Sequence, residues 1–122
     1  MADAKILGLR TVIYSATNLI KTKEWYTKAL GIEPYFDEPY YVGFNVGGYE
    51  LGLDPDIPTV EGSTITYWGV ADIETDLKRL FELGATAHTD VQEVGEGIKV
   101  AAIKDPFGNV LGLIEDPHFS LA

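Results

Sequence analysis

The chain contains no cysteine among its 122 residues. That excludes a disulfide framework, a thiolate metal site and a cysteine nucleophile, and it suits a reducing compartment, so a cytoplasmic location is expected. Basic residues are scarce: 9 Lys and Arg stand against 19 Asp and Glu, for a formal charge of −10. A surface of that sign repels phosphate backbones and anionic lipid, which argues against nucleic-acid and membrane partners. No apolar run has the length needed to cross a bilayer, and Met1 to Gly8 lacks a basic segment followed by an apolar one, so a soluble, unprocessed chain is expected. Histidine occurs twice, as His88 in a Thr-rich stretch and His118 after Asp116-Pro117. His118 has no carboxylate or histidine at ligand spacing, and both histidines read as surface residues. The remainder is ordinary for a globular chain, 46% hydrophobic and 23% charged, enough for one domain's core and too short for two independent ones.

What is present is a repeat. Residues 9–15 form a β-branched alternating run, after which Asn18 offers an N-cap to a helix-length stretch that stops at Leu30-Gly31. Residues 64–70 are again strand-like, Asp72 can cap the stretch that follows, and that stretch stops at Leu83-Gly84. Thr11 and Ile65 are separated by 54 residues and Gly31 and Gly84 by 53, so the offset hardly drifts between strand and helix. Each helix is followed by room for a short strand, at 33–40 and 85–91, and then by a hairpin signal. The first hairpin turns at Gly47-Gly48, the second at Asp105-Pro106-Phe107-Gly108-Asn109. The unit is βαβββ, twice, with module one at about 8–54, a linker at about 55–62 and module two at about 63–116.

Hairpin parity separates two faces. Across a two-residue turn Val46 opposes Tyr49, Asn45 opposes Glu50, Phe44 opposes Leu51 and Gly43 opposes Gly52. One face holds Val42, Phe44, Val46, Tyr49, Leu51 and Leu53, as a sheet under a helix requires; the other holds Tyr41, Gly43, Asn45, Glu50 and Gly52. Small and polar residues in mid-sheet mark a surface open to ligand or water. Trp25, on the helix, and Trp68, on the opposite parity, read as core.

The run from Thr11 to Tyr26 leading into Leu30-Gly31, with Asp105-Pro106-Phe107-Gly108-Asn109 before a final apolar strand, resembles the vicinal oxygen chelate superfamily. That group includes glyoxalase I, extradiol dioxygenases and bleomycin-resistance proteins. The resemblance implies an α+β fold in which two βαβββ modules form a curved mixed sheet with an open cleft. It also implies a metal site with His, Gln or Glu ligands from four positions, which by motif alignment fall at Thr11, Glu50, Ile65 and Gly112. Only Glu50 could serve, and one carboxylate does not hold a divalent cation, so neither metal nor cofactor is expected.

The expected function is metal-independent binding of a small organic molecule, of the bleomycin-resistance-like type. Thr11, Tyr41, Asn45, Glu50 and Tyr67 are the candidate ligand-binding residues, with Asn45 orienting Glu50 and the tyrosines as flat walls. The acidic balance favours a cationic ligand. The alternatives are a glyoxalase-, lyase- or dioxygenase-like enzyme with Glu50 as catalytic base or metal ligand, and a degenerate module that serves only dimerisation or regulation. A homodimer is expected, since open sheets leave edge strands that find a symmetric partner.

Overall fold

The computed structural model describes residues 9–59 and 65–119. Its elements run β1 (Thr11–Ser15), α1 (Leu19–Leu30), β2 (Phe36–Glu38), β3 (Tyr41–Val46), β4 (Tyr49–Asp54), β5 (Tyr67–Gly69), α2 (Ile73–Glu82), β6 (Thr86–Glu93), β7 (Lys99–Lys104) and β8 (Val110–Glu115). The βαβββ order occurs twice, and the chain divides into two units between Ile57 and Pro58, inside the expected linker. Gly8, residues 60–63 and Thr64, which fall at the expected module boundaries and at the expected start of β5, lie outside the described residues.

The helices begin at their caps. Asn18 Oδ1 accepts the Lys21 N–H at 3.2 Å, and Asp72 Oδ1 accepts the Thr75 N–H at 3.1 Å, each satisfying a backbone donor that the first helical turn leaves without a partner. Gly31 and Gly84 follow the last helical turns with positive φ.

Each unit builds an open, mixed four-stranded sheet. The first has the order β1-β4-β3-β2 and the second β5-β8-β7-β6; β1–β4 and β5–β8 are the parallel pairs and the rest are antiparallel. The β3–β4 hairpin has the expected register, Val46 opposite Tyr49 through Gly43 opposite Gly52. Its turn places Gly47 at φ +60° and Gly48 at φ +93°, the two positive angles of a primed turn, which residues with a Cβ adopt only with strain.

Register then decides the core. Helix α1 packs on β3 and β4, burying Thr22, Trp25, Tyr26 and Ala29 on its side and Val42, Phe44, Leu51 and Leu53 on the sheet's. Trp25 meets Tyr26 edge-on, with ring centroids 4.8 Å apart at 75°. In the second unit α2 packs on β7 and β8, with Ile73, Leu77 and Leu80 inside together with Ala101, Ile103, Leu111 and Leu113. Each large side chain buried in this way contributes about 1.5–3 kcal/mol of transfer free energy. Trp68 is only half-buried, so its expected core place is partial. Among the described residues no helix is long and apolar enough to cross a membrane.

The Asp-Pro-Phe-Gly-Asn segment is a structural turn. Buried Asp105 accepts from the Phe107 N–H (2.8 Å) and the Asn109 N–H (2.9 Å) through Oδ1, and from Asn109 Nδ2 (2.9 Å) through Oδ2. Removing the carboxylate leaves buried donors without an acceptor. Asp105→Ala is therefore expected to lower unfolding stability by about 2–4 kcal/mol, read as a shift in urea midpoint at unchanged slope. A loss within about 0.5 kcal/mol, the usual surface range, would show that the turn does not depend on Asp105.

Candidate functional site

The site lies on the face of the first unit's sheet that α1 leaves uncovered. Pairing aligns three rows there: Thr11, Glu50 and Asn45; then Ile13, Gly52, Gly43 and Phe36; then Asp54 on β4, with Tyr41 and Glu38 side by side on β3 and β2. The middle row is where the backbone is bare, because Gly43 and Gly52 are direct cross-strand partners.

Two tyrosine rings fill the space that side chains there would occupy. A Cβ on Gly43 would lie 3.3 Å from Cε1 of Tyr35 and 3.2 Å from Oε1 of Glu50, and a Cβ on Gly52 would overlap the ring and hydroxyl of Tyr41. Tyr35 is anchored beside Gly43 by its own N–H, which donates to the Gly43 carbonyl at 3.0 Å. Glycine at both positions is thus what lets the rings come down onto the sheet.

The two hydroxyls converge on one carboxylate. Tyr35 donates to Oε1 of Glu50, and Tyr41 donates to Oε2 at 2.5 Å. Both oxygens of the carboxylate thus act as acceptors, and the two bonds fix its orientation on the sheet. Burial, and after it the Asp54 carboxylate, push the Tyr41 hydroxyl above its ordinary value of 10.0, so it stays protonated and remains a donor. Glu50 itself is half-buried, and Tyr35 stays 63% exposed, so the outer side of its ring is open to a ligand.

Of the expected residues, the structure brings Thr11, Tyr41, Asn45 and Glu50 to this one face. Thr11 stands next to Glu50 across the parallel β1–β4 pair and is exposed. Asn45 is directly opposite Glu50, but its Oδ1 accepts the Gly48 N–H at 2.9 Å and closes the hairpin turn. The orienting role expected of Asn45 is filled by the two tyrosines. Tyr67 belongs to β5 in the second unit, where it covers Gly112: a Cβ there would lie 2.5 Å from Cδ1 of Tyr67 and 2.8 Å from the Thr66 carbonyl. Tyr35 was not expected. It precedes a strand of three residues, too short to show a period, and the signal that points to it is a glycine in mid-strand, which invites an aromatic from the neighbouring chain segment.

The metal positions implied by the resemblance do not fit a cation. In the first unit Ile13 pairs with Gly52, and in the second Tyr67 pairs with Gly112; Ile13 and Tyr67 are separated by the same 54 residues as Thr11 and Ile65. The counterpart of Gly112 is therefore Gly52, and Glu50 stands two residues away from it. Both positions are glycines roofed by a tyrosine, and the first-strand positions supply one hydroxyl and one hydrocarbon, which is no donor set for a divalent ion. Among the described residues, Asp72, Glu74 and Glu115 form the one group of three acids or histidines close enough to share an ion. There Glu74 pairs with Lys99 at 3.4 Å and Glu115 accepts the Ile73 N–H at 2.9 Å. His118 Nε2 is 2.8 Å from the Glu96 carbonyl, and His88 is exposed on β6.

The sequence model of the Glyoxalase/Bleomycin resistance protein/Dioxygenase superfamily matches residues 8–113. No curated protein matches the chain by sequence. Among solved structures it is similar to a glyoxalase-related enzyme from Fulvimarina pelagi, with a TM-score of 0.77, 15% identity and coverage of 96% of this chain and 94% of that one. It is similar also to a lactoylglutathione lyase from Agrobacterium tumefaciens (TM-score 0.74, 18% identity, 97% and 100% covered). A third is a glyoxalase/bleomycin resistance protein/dioxygenase family enzyme from Burkholderia phytofirmans PsJN (0.74, 15%, 86% and 95%). At these identities the likeness is one of fold.

The raised Tyr41 hydroxyl has a pH signature. It ionises less readily in the folded chain than at its ordinary value of 10.0, so its contribution to stability is complete below pH 10.0 and is lost as pH rises through the folded value. Wild type should exceed Tyr41→Phe in urea stability at about pH 8, and the gap should close in the alkaline range. A gap that stays constant across that range contradicts the shift.

Proposed function

This chain belongs to the glyoxalase/bleomycin resistance protein/dioxygenase superfamily, and from that membership we propose that it is a metal-independent binding protein of the bleomycin-resistance-like type, holding a small cationic or aromatic organic molecule against the Glu50 face. One observation carries this reading: both oxygens of Glu50 already accept a tyrosine hydroxyl. The two bonds fix the orientation of the carboxylate, and among the aligned positions Thr11, Glu50, Ile65 and Gly112 it is the one acidic donor, where a divalent cation needs several. As an oriented negative charge beside aromatic rings, the group suits an organic cation.

Glu50→Gln is expected to weaken a cationic aromatic ligand by about 1–3 kcal/mol, more at low salt than at high, and to leave a neutral ligand nearly unchanged. Calorimetry on the two proteins reads this directly. If the variant binds every ligand as before but loses turnover of one, Glu50 is a base and the protein is an enzyme of the glyoxalase, lyase or dioxygenase kind.

The proposal includes a homodimer. It is supported by β6, an edge strand of eight residues that are all exposed, a length of unpaired backbone that soluble chains seldom leave open. Light scattering at micromolar concentration should give about twice the chain mass of 13.4 kDa. A single species at the chain mass refutes the dimer.

A further inference from the structure

Strand β6 is uncovered on both of its faces. It is the longest strand among the described residues, its eight residues are all exposed, and it forms the outer edge of the order β5-β8-β7-β6. We propose that the homodimer, the reading on which this inference rests, forms through that edge: two copies of β6 pair antiparallel about a two-fold axis at Thr89.

Edges that stay single are usually guarded. The counterpart of β6 in the repeat, β2, has only three residues and is followed by Pro39, both ordinary means of closing an edge to further pairing. From Thr86 to Glu93 there is no proline, lysine or glycine. Charge along the strand is also left unanswered. Glu93 faces Lys99 on β7, whereas among the described residues neither His88 nor Asp90 belongs to an ion pair within the chain.

Symmetry then selects the register. A two-fold axis that relates adjacent antiparallel strands stands perpendicular to the sheet and passes between two directly opposed residues, so one residue faces its own copy. With Thr89 at the axis, His88 of each copy faces Asp90 of the other, Ala87 faces Val91 and Thr86 faces Gln92. A ring N–H meets a carboxylate twice and apolar side chains meet each other, which are cross-strand pairs that stabilise a sheet. An axis at Asp90 would set carboxylate against carboxylate, and one at His88 would set ring against ring. Thr89 is the one centre at which His88 meets a carboxylate of the strand.

The strand is not regular: its register against β7 shifts between Ala87 and Thr89 and again between Thr89 and Gln92. A bulge spoils pairing because one strand carries a residue that its partner lacks. Two copies of the same strand carry the same residues, and an axis at Thr89 sets one irregularity against the other, so neither copy has a residue left over.

The test uses single cysteines placed at exposed positions in the full chain, which has no thiol of its own. Under mild oxidation Thr89→Cys should form a disulfide-linked dimer, because facing Cβ atoms of antiparallel strands lie about 4.5–5.5 Å apart. Thr86→Cys should not, since its two copies would stand about 20 Å apart. Sedimentation of cysteine-free variants checks the register: His88→Asp, which opposes two aspartates twice, should weaken dimerisation by about 5–30-fold, and adding Asp90→His, which exchanges the partners, should restore it. A dimer in which Thr89→Cys cross-links no better than Thr86→Cys overturns the pairing through β6 and leaves the homodimer standing. A double variant as weak as His88→Asp alone contradicts the axis at Thr89. A wild type that sediments only at the chain mass removes both the pairing and the dimer.

Discussion

The binding face of this chain depends on one carboxylate holding two tyrosine hydroxyls. The arrangement is possible only because Gly43 and Gly52 are neighbours on β3 and β4, so that the Tyr35 and Tyr41 rings settle onto bare backbone and their hydroxyls reach Glu50. The glycines can be neighbours because the Gly47-Gly48 turn fixes the register, and the register is in turn locked by burial of Val42, Phe44, Leu51 and Leu53 under α1. A slip of one residue would exchange the core for the site. Helix packing on one side of the sheet is therefore what holds the chemistry on the other.

The two phenols fix the orientation of the carboxylate between aromatic rings, and it stands without the further acidic donors that a divalent cation needs at the aligned positions. In the second unit the equivalent glycine, Gly112, also lies beneath a tyrosine, Tyr67. In both repeats a mid-strand glycine, Gly52 and Gly112, is thus covered by a tyrosine ring, Tyr41 and Tyr67.

The local features were legible in the sequence: both helix caps, the two-residue turn, the hairpin register and the repeat. Each rests on contacts between residues a few positions apart, where residue type and spacing are enough. The parallel β1–β4 pairing joins segments far apart in the chain, and no turn chemistry encodes its register. That is why the resemblance places Glu50 as the first-module counterpart of Gly112, where strand pairing gives Gly52: a shift of two residues keeps the side chain on the same face and raises no conflict in the pattern. Tyr35 escaped notice for a related reason, being placed by a backbone bond from a loop to Gly43 and not by a strand period. Asn45 was correctly set opposite Glu50, but its amide is drawn to the nearer Gly48 N–H, a local competition of the kind short polar side chains usually win.

The central claim, that Glu50 is a fixed charge for an organic partner and not a metal ligand, is tested most directly with a paramagnetic cation. About one equivalent of nickel(II) added to labelled protein would broaden the amides nearest to any site it occupies. The account predicts that the Gly43, Glu50 and Gly52 signals keep their intensity. Selective loss of those three signals would contradict it.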